Sequence, residues 1–383
     1  MRTAEFDYEL PPKLIAQTPI EPRDSSRLMV LDRHTGEWGR LSSLPKIAHH
    51  HFYDLPDFLR PGDLLVHNES RVIPARLFAR KPTGGKVELL LLRQRTDYAW
   101  ETLVRGRNVH VGLCLAILDS SNGLPIGAEA NVVEEGERGM CVLSFDQPVL
   151  SLAAQVGVTP LPPYIHAPLK NGERYQTIYA RVPGSAAAPT AGLHFTPALL
   201  SRLREMDVRS AFVTLHIGLD TFRPVGEERI EDHRMHTEYG RLTPEVAEQV
   251  NQAKREGHRV VAVGTTSVRI LETAAGKSQS SKSPFAIRHS PFAIRHSPFA
   301  IRHSPFADSP FVQPFEGATD LFIYPGYEYK VVDVLITNFH LPRSTLLMLV
   351  AAFAGKELLD RAYHEAIRER YRFYSFGDAM LIV

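Results

Sequence analysis

The sequence predicts an α/β protein: a mixed, partly parallel sheet with flanking helices, interrupted by an inserted small antiparallel β-barrel. Three observations predict it. Apolar runs of strand length alternate with segments of helical period over most of the chain. Between Gly62 and Asp146 the alternation gives way to short β-branched or aliphatic runs divided by turn residues, with no helical period between them. The 383 residues, 44% of them hydrophobic, suffice to bury the cores of two domains.

In chain order, the N-terminal segment is expected to pack onto the α/β part. The β-rich block holds runs at Asp63–His67, Lys86–Arg93, Trp100–Val104, Cys114–Leu118 and Cys141–Phe145, with turns at Thr83–Gly85, Arg105–Gly106, Asn122–Gly123 and Glu135–Gly136. This places the barrel at 61–151 and a discontinuous α/β catalytic domain at 1–60 and 152–383. Within the latter, Ser210–Ile217 and His258–Val263 read as strands, and Pro197–Met206, Pro244–Glu256, Ser267–Ala275, Thr345–Ala354 and Glu357–Tyr371 as helices. From Ser283 the heptapeptide Ser-Pro-Phe-Ala-Ile-Arg-His occurs three times, at Ser283, Ser290 and Ser297, and fades at Ser304. Proline every seventh residue blocks both a continuous helix and a central strand, so a disordered insertion over about 277–314 is predicted, with His289, His296 and His303 as solvated passengers ahead of adventitious metal binders.

Forty-four basic against forty-three acidic residues leave a net charge of +1, which excludes a general attraction to polyanions; any RNA must be held by a local patch. Two cysteines, Cys114 and Cys141, are too few for a disulfide framework or thiolate metal site and read as core thiols. Met1–Leu10 carries no apolar run of the signal-peptide kind, and Thr345–Ala354 is far shorter than the roughly 18 to 20 residues that span a bilayer. A cytoplasmic chain is expected, with no membrane contact.

Four strand-to-helix connections concentrate polar groups, where an open α/β sheet holds its ligand. In Ala188–Pro197, Thr196 before Pro197 marks a helix start, which leaves Thr190, Gly192 and His194 in the loop feeding it; an ordinary capped loop has the same local pattern. Thr214–Pro224 runs through His216 to a glycine-containing loop with Asp220, Thr221 and Arg223, the arginine suited to a carboxylate or phosphate. Just beyond, His233, His236 and Glu238 invite a metal reading, against which no further cluster has ligand spacing. In Val261–Arg269, Gly264 precedes Thr265, Thr266 and Arg269, and free backbone N–H groups at that helix start suit an anion or a ribose hydroxyl. Leu335–Thr345 presents Asn338, His340 and Arg343 before an apolar helix capped by Ser344 or Thr345. Near the end, Tyr371–Met380 interleaves Tyr371, Tyr374 and Asp378 with a base, a pattern that fits nucleobase stacking or simple closure of the core.

Together with Phe6–Pro11, Arg23–Arg27, Leu59–Leu65, Arg71–Leu77, Leu161–Ile165, Arg174–Thr177 and Thr319–Gly326, these stretches resemble the S-adenosylmethionine:tRNA ribosyltransferase-isomerase family of queuosine biosynthesis over nearly the whole chain. The resemblance implies a monomer that builds the ribosyl part of S-adenosylmethionine onto 7-aminomethyl-7-deazaguanine in a tRNA with a queuosine-type wobble base. Epoxyqueuosine is formed, and adenine and methionine are released. No metal is implied, nor any cofactor beyond S-adenosylmethionine, itself a consumed substrate. The sulfonium acidifies the adjacent ribose methylene, so a base and an acid are required. His194, His216, His233 and His340 are the candidates, with Asp220 and Glu238 behind them. Arg223, Arg269 and Arg343 are candidates for the methionine carboxylate or tRNA phosphates, and Thr190, Gly192, Thr221, Thr265, Thr266, Asn338, Tyr371, Tyr374 and Asp378 for other substrate contacts.

Asp220 stands where the family's pattern has glycine, Asn68–Ser70 replaces Asn-Asp-Thr, and Leu41–Ile47 is a short extra segment. Two rival classes are a metal-dependent hydrolase using His194, His216, His233 and His236, and a non-catalytic RNA-binding module presented by the barrel. Because the repeat reads as a passenger, deletion of residues 283–307 is expected to leave turnover near that of the full chain. A collapse in rate on deletion contradicts that reading.

Overall fold

The computed structural model describes residues 1–33, 47–169, 171–218, 224–235, 237–280 and 310–383. The expected disordered insertion, residues 41–46 of the extra segment, and Asp220, Thr221, Arg223 and His236 therefore lie wholly or mostly outside the described residues. The first ten strands are β1 (Arg27–Leu31), β2 (Ile47–His51), β3 (Leu64–Asn68), β4 (Ser70–Val72), β5 (Arg76–Arg80), β6 (Lys86–Gln94), β7 (Ala99–Arg105), β8 (Cys114–Leu118), β9 (Pro125–Glu135) and β10 (Met140–Phe145). After helix α1 (Val149–Val156) come β11 (Val182–Ser185), α2 (Pro197–Glu205), β12 (Arg209–His216), β13 (Glu238–Leu242), α3 (Pro244–Arg255), β14 (Val260–Val263) and α4 (Thr265–Ser280). The chain ends with β15 (Phe315–Thr319), β16 (Val334–Asn338), α5 (Thr345–Ala354), α6 (Lys356–Arg368) and β17 (Ala379–Ile382).

Nine strands form one mixed sheet in the order β15-β13-β12-β3-β14-β16-β17-β1-β2. Its centre is parallel: β3 pairs in parallel with β12 and β14, and β14 with β16. Every residue of β3, β14 and β16 is buried, as expected of strands covered on both faces. Apolar side chains of α3, α4 and α5 pack with alternate residues of these strands in one large core. Three helix starts follow the capping chemistry of their sequences: Thr196, Thr243 and Ser344 each accept a hydrogen bond from the backbone N–H three residues on.

Six strands close a separate antiparallel barrel, β10-β7-β6-β5-β8-β9, whose interior holds Trp100, Leu89, Ile117 and Leu143, with α1 packed into the same cluster. The run at Asp63–His67, assigned above to this β-rich block, belongs to the large sheet instead. Its apolar composition is that of any buried strand, and only its pairing with β12 and β14 tells the two apart. Two barrel strands went unread: β5, and β9, whose Ala, Gly and Glu content masks an alternation of buried and exposed positions. Cys141 is buried as expected, but Cys114 is half-exposed, 3.4 Å from Glu129, and is no core thiol.

Asn68 fixes the point where the chain leaves β3. Its side chain donates to the Leu215 carbonyl (3.0 Å) and accepts from the N–H groups of Leu215 and Ser70 (3.1 Å each). On α4, the buried Glu272 carboxylate accepts from the Tyr327 hydroxyl (3.0 Å) and from the N–H groups of Lys330 (3.0 Å), Val331 (3.1 Å) and Val332 (3.2 Å). That one group sets the height at which β16 enters the sheet. Glu272→Ala leaves buried donors without an acceptor and is expected to lower the unfolding free energy by about 3 kcal/mol or more, read from urea denaturation. A loss below about 1 kcal/mol contradicts the assignment.

Candidate active site

The parallel strands run toward the same edge of the sheet, where Asn68 and Val263 are followed by Asn338, two residues beyond the partner of Val263, and by His216, three beyond the partner of Asn68. There the first and fourth connections meet. His194, on a short turn before α2, is buried and stacked on Phe52 with ring centroids 4.9 Å apart. Its Nε2 lies 3.1 Å from Asn338 Nδ2 and its Nδ1 2.7 Å from Ser26 Oγ. The carbonyls of Tyr374 and Asp378 also face Asn338 Nδ2, at 3.4 Å, which makes that atom the amide donor. His194 Nε2 therefore accepts, its proton sits on Nδ1, and Nδ1–H donates to Ser26. On the other side of the amide, Thr190 Oγ1 donates to Asn338 Oδ1 at 2.9 Å. Burial holds the His194 pKa down to about 3, with Arg372 and Arg23 adding to the effect, so the ring is neutral.

His340 is a second buried neutral imidazole, lowered to about 3 by burial, with Nε2 2.7 Å from Thr337 Oγ1. The His340 backbone N–H donates to the Tyr363 hydroxyl (2.8 Å), and its backbone carbonyl accepts from the Tyr8 hydroxyl. His340, Thr190, Asn338 and Tyr374 line a cavity of about 50 Å³, together with Gly264, Thr265 and Thr266 at the start of α4. Gly192 is closely packed. A Cβ there would lie 2.1 Å from the Tyr179 hydroxyl, so its role is close packing.

A second cleft, about 1120 Å³, opens between the barrel and the sheet edge. Arg93–Asp97 and Glu101 line one wall, and His216, Gly218, His233 and Glu238 the other. The two spaces adjoin, since Ile217 faces the small one while His216 and Gly218 face the large. The His216 ring lies against Gly184, where a Cβ would come within 2.9 Å of it and φ is +136°. Burial lowers the His216 pKa, and its buried Nδ1 has no hydrogen-bond partner among the described residues. His233, at the rim, places Nδ1 3.0 Å from Glu227 and meets Phe322 edge-to-face.

Several candidates are already engaged elsewhere. Glu238 and Arg269 form a buried ion pair; Glu238 also accepts the Gly218 N–H (3.2 Å), and Arg269 donates to the Leu321 carbonyl (3.3 Å). Arg343 lies 3.3 Å from Asp7, at φ +54°, on the N-terminal segment. Tyr371 is fully buried under Arg27, 3.7 Å from the ring centroid, with its hydroxyl 2.8 Å from His49 Nδ1. Asp378 accepts the N–H groups of Arg27 (3.0 Å) and Arg372 (2.7 Å), and burial raises its pKa. Among the described residues no three His, Cys, Asp or Glu side chains converge as metal ligands.

Sequence reasoning missed Ser26, the donor pair Arg93 and Arg95 around Glu101, and His67. The first sits in the Arg23–Arg27 stretch but has no spacing signal of its own. His67 is a wholly buried strand histidine against Tyr179, Phe195 and Phe212, with a pKa lowered to about 3. His67, His194 and His340 refuse protons that the unfolded chain accepts at its ordinary value of 6.5. Stability is therefore full above pH 6.5 and falls as pH drops toward 3, by up to ~1.4 kcal/mol per pH unit for each histidine. Urea unfolding at pH 7.0 and 5.5 is expected to show this loss, and His67→Phe is expected to remove one histidine's share; an unchanged slope contradicts it.

A family model described as "Queuosine biosynthesis protein" matches residues 3–382. Curated relatives named S-adenosylmethionine:tRNA ribosyltransferase-isomerase include those of Carboxydothermus hydrogenoformans (50% identical, all of both chains covered) and Moorella thermoacetica (51%, all of both). That of Thermus thermophilus is 51% identical over 99% of this chain and 98% of its own. A crystal structure of S-adenosylmethionine tRNA ribosyltransferase from Thermotoga maritima aligns with 99% of this chain and 100% of its own, at 39% identity and a TM-score of 0.50. With an α/β body, an inserted closed barrel and a polar edge between them, the chain belongs to the queuosine biosynthesis family of S-adenosylmethionine:tRNA ribosyltransferase-isomerases.

Proposed function

We propose that the chain transfers the ribosyl part of S-adenosylmethionine to a 7-aminomethyl-7-deazaguanine base in the tRNA anticodon and isomerises it, giving epoxyqueuosine with release of adenine and methionine. S-adenosylmethionine is consumed, with no further cofactor, by a monomer working in the cytoplasm. Among the described residues no helix is long and apolar enough to cross a membrane.

The observation that carries the mechanism is His216 at the junction of the two spaces. Buried enough to stay neutral and part of the lining of the large cleft, its ring can accept a proton at neutral pH. Its task is to take the proton that the sulfonium acidifies on the adjoining ribose methylene. His233, paired with Glu227 across the same cleft, returns a proton to the departing adenine. His194 and His340 hold the frame, since the hydrogen bonds of His194 occupy both of its ring nitrogens and His340 Nε2 is bound to Thr337. The large cleft, with arginines on its barrel wall, receives the modified base and its flanking phosphates.

Incubation with precursor-bearing tRNA and S-adenosylmethionine is expected to yield epoxyqueuosine, seen by nucleoside mass spectrometry, and one adenine per modified tRNA. Absence of both from folded protein and competent tRNA overturns the reading. His216→Gln is expected to lower kcat by about 10²-fold or more with the fold retained. Because burial lowers the His216 pKa, the acid limb of the wild-type kcat/KM profile falls below pH 6.5. Normal turnover in the variant excludes His216 as the base.

A further inference from the structure

The small cavity has two walls of opposite hydrogen-bonding character. One is the start of α4, a 16-residue helix that leaves β14 through Gly264 at φ +87°. The first N–H groups of a helix have no partner within it and carry the positive end of its dipole. Ser267 turns its hydroxyl back to the Val263 carbonyl (2.9 Å) and does not cap them. Thr266 is more than nine-tenths buried and lines the cavity, yet its Oγ1 has no hydrogen-bond partner among the described residues. A buried hydroxyl without a partner costs about 1–3 kcal/mol, which a bound acceptor recovers.

The opposite wall accepts. The His194–Asn338 tie fixes the amide, Asn338 Oδ1 takes the Thr190 proton, and Thr190 Oγ1 is left with its lone pairs for a ligand. At about 50 Å³ the space suits a few heavy atoms and is too small for a nucleoside.

We infer that this cavity holds the amino-acid end of S-adenosylmethionine, with the carboxylate on the α4 N–H groups and the Thr266 hydroxyl and the ammonium on Thr190. The inference rests on the function proposed above and adds where the substrate is gripped. Ile217 lines the cavity and its chain neighbour His216 lines the large cleft, so an amino acid seated here has its sulfonium end on the side of the base. Product methionine, which keeps both charged groups, leaves from the same seat.

Isothermal titration of wild type and Thr266→Val with S-adenosylmethionine and with its decarboxylated analogue tests this. Thr266→Val is expected to weaken S-adenosylmethionine about tenfold and to leave the analogue unchanged. Equal affinity of both proteins for S-adenosylmethionine, or an equal loss of both ligands, overturns the inference. Should the variant fail to fold, wild type alone decides: a preference of about tenfold or more for the carboxylated ligand supports the seat, and equal binding refutes it. A wild type that forms epoxyqueuosine but ignores the carboxylate keeps the proposed function and loses this inference. A carboxylate-dependent binder that makes no product does the reverse.

Discussion

One buried amide holds the polar edge of the sheet together. Asn338, at the end of β16, donates to His194 and accepts from Thr190, while Ser26 takes the other nitrogen of His194. Three stretches distant in sequence thus share one chain of hydrogen bonds. In the low dielectric of the interior each member must be satisfied, so each fixes the orientation of the next. Exchange of the amide's two ends would set its oxygen against the carbonyls of Tyr374 and Asp378. The chain therefore has one direction, with Thr190 as a donor within it.

Burial then sorts the histidines. Those with full hydrogen bonding or complete enclosure become neutral frame elements, and His216, half-buried with a free ring nitrogen among the described residues, keeps the capacity to take a proton. The same logic explains Glu238 and Arg269. Each resembles a catalytic or anion-binding group in sequence, but together they neutralise one another where neither is exposed. Such a pair costs more to break than it contributes when intact.

The α/β body and the barrel were legible because periodicity and turn residues report burial directly. Helix starts at Thr196, Thr243 and Ser344 carry their own capping chemistry. The place of β3 was not legible: a short apolar run is compatible with either sheet, and strand pairing is a long-range property. For the site, the four connections were found because polar loops at strand ends stand out. Which of their residues face a cavity did not follow, because orientation depends on partners such as Ser26, Gly184 and Glu227 that no local pattern links to them. Tyr371 and Asp378 show the same limit. An aromatic and a carboxylate near a base suit a substrate site, yet here they close the core around Arg27 and Arg372.

The proposed chemistry sits at the edge toward which the parallel strands run, beside the barrel. Diffraction from crystals grown with S-adenosylmethionine tests it most directly. The adenosyl group is expected in the large cleft beside His216, with the amino-acid end reaching Thr266. Ligand density in the separate groove of about 480 Å³ lined by Glu5, Tyr8, Asp360 and His364, or elsewhere away from that edge, would contradict it.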